Sequence, residues 1–150
     1  MSGILKESFQ TADVPRTSRP AKILCIDDDP AIPSSIAIRL RGFEVEVIPA
    51  YHGMHGFAIA SHEDPDVIIT DLRMPMGEGA FVLESLKQNA QTAHIPVIVL
   101  TGQRGSDLPG RMHHLGAERF FQKPVAFTKL LEELARHIPL RVRDPSAFQD

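Results

Sequence analysis

A chain of 150 residues, 43% hydrophobic and 23% charged, has room for one ordinary hydrophobic core and is too short for two. A net charge of -3 and a pI near 6.1 supply no basic field for nucleic acid or an anionic membrane, so direct DNA binding by this chain is not expected. No apolar run approaches the roughly 18 residues of a membrane span, no signal-peptide core opens the chain, and the single cysteine, Cys25, excludes an internal disulfide; a cytoplasmic protein with a buried, reduced thiol is expected.

Residues 1–20 mix polar, Pro and Arg residues without sustained periodicity and read as a flexible N-terminal arm, with the fold beginning near Ala21. Ile23 to Ile26 is a continuous apolar run, as expected of a parallel strand covered on both faces, and it ends in Asp27-Asp28-Asp29-Pro30. Ile32, Ile36 and Leu40 then recur at helical spacing, with Pro33 crowding the helix start. Phe43, Val45 and Val47 alternate with Glu44 and Glu46, which predicts a strand with one wetter face at a sheet edge.

Phe57 and its neighbours mark a second helix, Val67 to Thr70 a third strand, Val82, Leu83 and Leu86 a third helix, and Val97 to Leu100 a fourth strand. Gly102, Gly105, Pro109 and Gly110 crowd the next stretch. They predict a short or mobile fourth helix beginning near Ser106, with Pro109 tolerated in its first turn. Arg119 to Gln122 is a short fifth strand; Phe127, Leu130, Leu131, Leu134 and Ile138 form the apolar stripe of a last helix, and residues 139–150 read as a C-terminal tail. Strict alternation of strand and helix predicts a doubly wound α/β sheet, whose ligand crevice lies outside the carboxyl ends of its strands.

That rule converts strand ends into candidate site residues. Asp27 and Asp28 follow the first strand, Asp71 the third, Thr101 the fourth and Lys123 the fifth, so polar groups from four strands converge on one edge. Consecutive aspartates repel one another and call for a positive partner, for which a hard divalent cation with oxygen ligands is suited; a solvated acidic turn is the competing reading of that segment alone. Asp29 precedes Pro30, a good first-turn residue, and is expected to cap the first helix rather than bind metal. The His113-His114 and His52/His55 pairs lack cysteines or a third ligand, so solvated surface histidines are expected instead of a zinc site. Met74-Pro75-Met76-Gly77 reads as a rigid loop, and no Gly-rich phosphate loop with a following Lys and Ser/Thr is present.

Four blocks carry a resemblance. They are Ile23-Leu24-Cys25-Ile26-Asp27-Asp28-Asp29-Pro30, then Asp66 through Pro75 with Gly79, then Val99-Leu100-Thr101-Gly102, and Phe120-Phe121-Gln122-Lys123-Pro124. In order and spacing the chain resembles the receiver domain of two-component response regulators, including the chemotaxis receivers, over residues 21–138. The resemblance implies a flavodoxin-like sheet of five parallel strands in the order 2-1-3-4-5 flanked by about five helices.

It also implies that Asp71 accepts a phosphoryl group from a histidine kinase or phosphotransfer protein, with Mg²⁺ held by Asp28, Asp71, the main-chain carbonyl of Arg73 and, through water, Asp27. Lys123 and Thr101 would contact phosphoryl oxygens, Gly102 would leave room for them, and Phe120 matches the family's switch position, while Phe121 is read as packing. Arg73 and Gln103 would flank the phosphoryl group, where Arg73 could obstruct attacking water and lengthen the phosphorylated lifetime. The expected protein is a phosphoacceptor switch that assists its own phosphorylation and dephosphorylation, not an enzyme on a diffusible substrate. Its downstream partner is unspecified, and pairing of two copies through the last helix is a weaker expectation. Two alternatives remain open: a phosphorylation-independent adaptor on the same scaffold, and a magnesium-dependent phosphatase, against which Arg73 stands where a second acid would be wanted.

Overall fold

The structure is a computed structural model that describes residues 19–74 and 78–144. Residues 1–18 of the expected arm and 145–150 of the expected tail therefore fall outside the described residues, as do Pro75, Met76 and Gly77 of the expected rigid loop. Strands β1 (Ala21–Ile26), β2 (Val45–Ala50), β3 (Val67–Thr70), β4 (Val97–Thr101) and β5 (Arg119–Gln122) alternate with helices α1 (Ala31–Leu40), α2 (Gly53–Glu63), α3 (Glu78–Gln88), α4 (Leu108–His114) and α5 (Phe127–Ala135). All strand pairs are parallel, in the order β2-β1-β3-β4-β5, as expected from the sequence.

Alternation along the central strands divides the core in two. Leu24, Ile26, Ile68, Val97 and Val99 face α2, α3 and α4 and pack with Val82, Leu83, Leu86 and Met112. Their neighbours Ile23, Cys25, Val67, Ile69, Ile98 and Leu100 face the opposite way, onto Ile36 and Leu40 of α1 and Leu130 and Leu134 of α5. Successive strand residues point to opposite faces, so a strand buried on both sides must be apolar at every position. Cys25 belongs to the second cluster, and burial, reinforced by the Asp27 charge, pushes its thiol up to about 12, which makes it an inert packing residue.

The expected second strand is shifted. Phe43 lies outside β2, because its N–H donates to Leu40 O at 2.9 Å and closes the end of α1, and pairing with β1 starts only at Ala21 opposite Val45. Edge placement is as expected, and it tolerates Pro49, whose missing N–H costs an outer strand no ladder bond.

Phe43 instead makes an antiparallel bridge with Val142. Glu44 N–H donates to Arg141 O at 2.7 Å, Arg143 N–H to Gly42 O at 2.9 Å, and the Arg143 guanidinium to Val45 O at 3.2 Å. With Leu140 packed on the α1/α5 cluster, the segment after α5 is a strap fastened across the α1–β2 turn, a pairing that the reading of this stretch as a tail does not contain.

Helix α4 is short, 7 residues, with Pro109 in its first turn, as the crowding of Gly and Pro predicts. Pro33 is likewise accommodated in the first turn of α1, where a backbone donor is not needed. Asp29 stands one residue before the cap expected of it, a position that Pro30 takes without a side-chain bond; its Oδ1 still accepts the Ala31 N–H at 3.0 Å at the start of α1.

Candidate functional site

The strand order decides where a ligand fits. β1 pairs with β2 on one side and β3 on the other, and the helices that follow β1 and β3 pack on opposite faces of the sheet. A crevice opens between the carboxyl ends of those two strands. Asp27 N–H donates to Ala50 O at 2.9 Å and Asp71 N–H to Ile26 O at 3.0 Å, so the ladder runs one residue past β1 and β3 and seats both carboxylates at the crevice.

Asp27 and Asp71 are buried, at 2% and 6% exposure, whereas Asp28 is exposed. One carboxylate oxygen from each of the three lies within 4.8 Å of the others. Such an all-oxygen, anionic donor set suits a hard divalent cation, and among the described residues no other group of three acidic, His or Cys side chains is so arranged.

A cation from the far side of the sheet already leans into this cluster. Lys123 Nζ donates to Asp27 Oδ2 at 2.8 Å and to Asp71 Oδ2 at 3.2 Å. Register brings it there: Thr101 stands opposite Gln122 in the β4–β5 ladder, and Lys123 N–H donates to Thr101 O at 2.8 Å just beyond it. The remaining oxygens are held by main-chain donors, Asp29 N–H to Asp27 Oδ1 at 2.9 Å and Arg73 N–H to Asp71 Oδ1 at 3.0 Å.

The charges are unbalanced. Burial raises the Asp27 carboxyl above its ordinary range despite the Lys123 and Asp29 hydrogen bonds that oppose it, and the Asp71 charge adds to the effect. Burial alone would lower the Lys123 ammonium, but the bonds and charges of Asp27 and Asp71 outweigh it and raise it. Both directions describe a site that gains from further positive charge.

Thr101 is fully buried, and its Oγ1 accepts the Gln103 N–H at 3.2 Å, which leaves the hydroxyl proton available to another acceptor. A Cβ at Gly102 would meet nothing within 4 Å, so the space beside Thr101 is open. At Gly79 a Cβ would overlap the Leu72 backbone, and the glycine lets α3 press against the chain just after Asp71.

A family model described as the response regulator receiver domain matches residues 23–135. The chain belongs to the response regulator receiver family. This receiver domain is 34% identical over 128 residues to the DNA-binding dual master transcriptional regulator RpaA of Synechocystis, covering 84% of this chain and 52% of that protein. It is 33% identical to protein PilH of Pseudomonas aeruginosa over 116 residues, covering 76% of this chain and 94% of that one. It thus spans about half of the first relative, at 52%, and nearly all of the second, at 94%. The structure of Vibrio cholerae chemotaxis protein CheY4 superposes with a TM-score of 0.72 at 28% identity, covering 79% of this chain and 99% of that one. Receiver domains are regulatory switches, not classical enzymes.

Of the residues singled out from the sequence, Asp27, Asp28, Asp71 and Lys123 meet in one cluster, and Thr101 reaches the same edge of the receiver sheet. Phe120 sits apart, half-buried against the α2–α4 cluster beside Pro109 and His113, while Phe121 packs on the opposite face. The Arg73 side chain is exposed; the donor role of its N–H toward Asp71 was not anticipated. Nor was a role for Gln122, whose amide nitrogen donates to Gln103 O at 3.2 Å. A polar side chain as the last residue before the strand-end lysine was the available signal.

The histidines are mostly exposed as expected, though exposed His94 pairs with Asp64 at 3.1 Å and two others take structural roles. His52 caps α2, its Nδ1 accepting the His55 N–H at 3.3 Å, and half-buried His137 pairs with Glu133 at 2.8 Å. No helix among the described residues is long and apolar enough to cross a membrane.

Proposed function

We propose that this receiver domain is a phosphorylatable switch with Asp71 as the phosphoryl acceptor. The observation that carries the reading is the buried Asp71 carboxylate, bonded to Lys123 Nζ at 3.2 Å and within 4.8 Å of the Asp27 and Asp28 oxygens. This all-oxygen donor set fits a Mg²⁺ ion, which Asp28, Asp71 and the Arg73 main-chain carbonyl would hold, with Asp27 acting through water. Bound there, it would neutralise charge shared between carboxylate and phosphoryl oxygens.

The chain's own residues do the rest. Asp71 is held in place by the Arg73 N–H and Lys123, so one of its oxygens is presented to the phosphorus of a phosphohistidine on a kinase or phosphotransfer protein, or of a small phosphodonor. The new P–O bond forms as the donor's P–N bond breaks, and the electron pair stays on the departing imidazole. Lys123 transfers its ammonium from the free carboxylates to a phosphoryl oxygen, and the Thr101 hydroxyl donates to another. Movement of Thr101 and Lys123 toward the acylphosphate shifts the packing around Phe120, which is the switch read by a downstream protein. The reading places the domain in the cytoplasm, with its kinase.

Incubation with a small phosphodonor and Mg²⁺ tests this. The expected result is one hydroxylamine-labile phosphoryl group on the peptide carrying Asp71, lost in Asp71→Asn and on chelation of Mg²⁺. A wild-type chain that folds yet gains no phosphoryl group, and binds no beryllofluoride in the presence of Mg²⁺, would sink the reading and favour a phosphorylation-independent adaptor.

A further inference from the structure

Residue Gln103 is gripped at both of its main-chain groups, from two different strands. Its N–H donates to Oγ1 of Thr101, at the end of β4, at 3.2 Å. Its carbonyl accepts from Nε2 of Gln122, at the end of β5, also at 3.2 Å. Elsewhere the loop is unrestrained by packing: residues 102–107 are all exposed, and a Cβ at Gly102 would meet nothing within 4 Å.

The two grips have different meanings. Thr101 ends β4 at the edge that carries Asp71 and Lys123, and its carbonyl accepts the Lys123 N–H, so the first grip ties the loop to the acceptor site. Gln122 stands opposite Thr101 in the ladder, two residues after Phe120, and by the two-residue period of a strand it shares that ring's face. The second grip therefore ties the loop to the strand segment that carries Phe120. Gln103 joins the two.

We propose that Gln122 is a positioning residue, a latch that holds the β4–α4 loop in its resting place and so sets the resting equilibrium between the two arrangements of the switch. The inference rests on the phosphoacceptor reading above. When Thr101 moves toward a phosphoryl group, Gln103 is drawn with it through the Thr101–Gln103 bond, and the Gln122–Gln103 bond must lengthen or break. A ligand shifts an equilibrium by its differential affinity for the two states, so a bond present only in the resting state weakens ligand binding by the factor that bond contributes. For one solvent-accessible neutral hydrogen bond that factor is about three.

Titration of the full chain with beryllofluoride in the presence of Mg²⁺, followed by the backbone amides of Thr101, Gln103 and Phe120, measures it. Gln122→Met keeps the length of the side chain and removes the donor; it should bind about three-fold more tightly, and amide exchange of residues 102–104 in the free protein should rise. Gln122→Arg restores an N–H donor of sufficient reach and should return both readouts to wild type, which a merely structural role for the side chain would not predict. If Gln122→Met titrates and exchanges as wild type does, or if Gln122→Arg behaves as Gln122→Met, the latch is overturned while the acceptor reading stands. If the wild-type chain itself shows no Mg²⁺-dependent beryllofluoride binding, the acceptor reading fails and the latch falls with it.

Discussion

Lys123 Nζ lies 2.8 Å from Oδ2 of Asp27, a contact between residues 96 positions apart that joins the last strand of the sheet to the first across β3 and β4. It is the resting counter-ion of a carboxylate that is otherwise buried at 2% exposure. Its removal leaves that charge without its partner. Lys123→Met should therefore destabilise the metal-free protein by about 1–3 kcal/mol, and Asp27→Asn in the same background should recover most of the loss. Urea denaturation of the two single variants and the double variant gives the coupling; strictly additive effects would contradict the pairing.

The pH dependence of stability follows from the same carboxylate. Burial raises the Asp27 carboxyl in the folded protein above its unfolded value, and the folded state binds its proton more tightly than the unfolded state does. Its contribution to stability is thus fully present below the unfolded value and is lost as pH rises through the raised folded value. Asp27→Asn should flatten the decline of metal-free stability as pH rises above the ordinary aspartate value. Urea midpoints across that range check it, and an unchanged slope would place the decline elsewhere. Lys123 works in the same sense at the alkaline end: its raised folded value adds stability below the ordinary lysine value of 10.5 and loses it as pH climbs through the folded one.

Arg73 presents an exposed side chain while its N–H holds Asp71 Oδ1 at 3.0 Å. Replacement of the side chain leaves that main-chain bond in place and, on the phosphoacceptor reading, would clear the approach to the acceptor. Arg73→Ala should shorten the phosphorylated lifetime by about two- to ten-fold, on the scale of one modest interaction at the transition state. Loss of labelled phosphate over time measures this, and an unchanged rate would remove Arg73 from any role in shielding the phosphoryl group.

The strap after α5 contributes to the fold. Glu44 N–H and Arg143 N–H each donate across it, at 2.7 and 2.9 Å, and Leu140 packs on the α1/α5 cluster. Truncation after Pro139 should lower stability by about 1–3 kcal/mol through the two lost main-chain bonds, the lost Arg143 guanidinium bond to Val45 O and the uncovered Leu140 contact, without changing Mg²⁺ affinity. Chemical denaturation and a Mg²⁺ titration of the truncated chain test the two halves of that statement.

The fold was legible where burial demands a pattern. Strands β1, β3 and β4 are covered on both faces and had to be continuous apolar runs, and the α5 stripe Phe127, Leu130, Leu131 and Leu134 had to recur at helical spacing. Phe43 was misplaced because an alternating run at a sheet edge has the same pattern whether its first aromatic belongs to the strand or closes the preceding helix. The Arg141–Arg143 strap left no signal, since its ladder bonds join main-chain groups that any sequence carries, and the Arg143 guanidinium reaches a main-chain carbonyl, Val45 O, that no local pattern marks.

Similar limits hold at the candidate site. Composition, periodicity and strand ends by themselves determined that Asp27, Asp28, Asp71, Thr101 and Lys123 would share one edge, because a doubly wound sheet sends every strand's carboxyl end the same way. Only the tertiary structure decided how they pair: that Lys123 bonds Asp27 more closely than Asp71, at 2.8 against 3.2 Å, and that Gln122 fastens the loop behind Thr101. Those choices depend on register between strands distant in sequence and on which burial leaves a charge in want of a partner. Neither quantity is a property of any local stretch of chain.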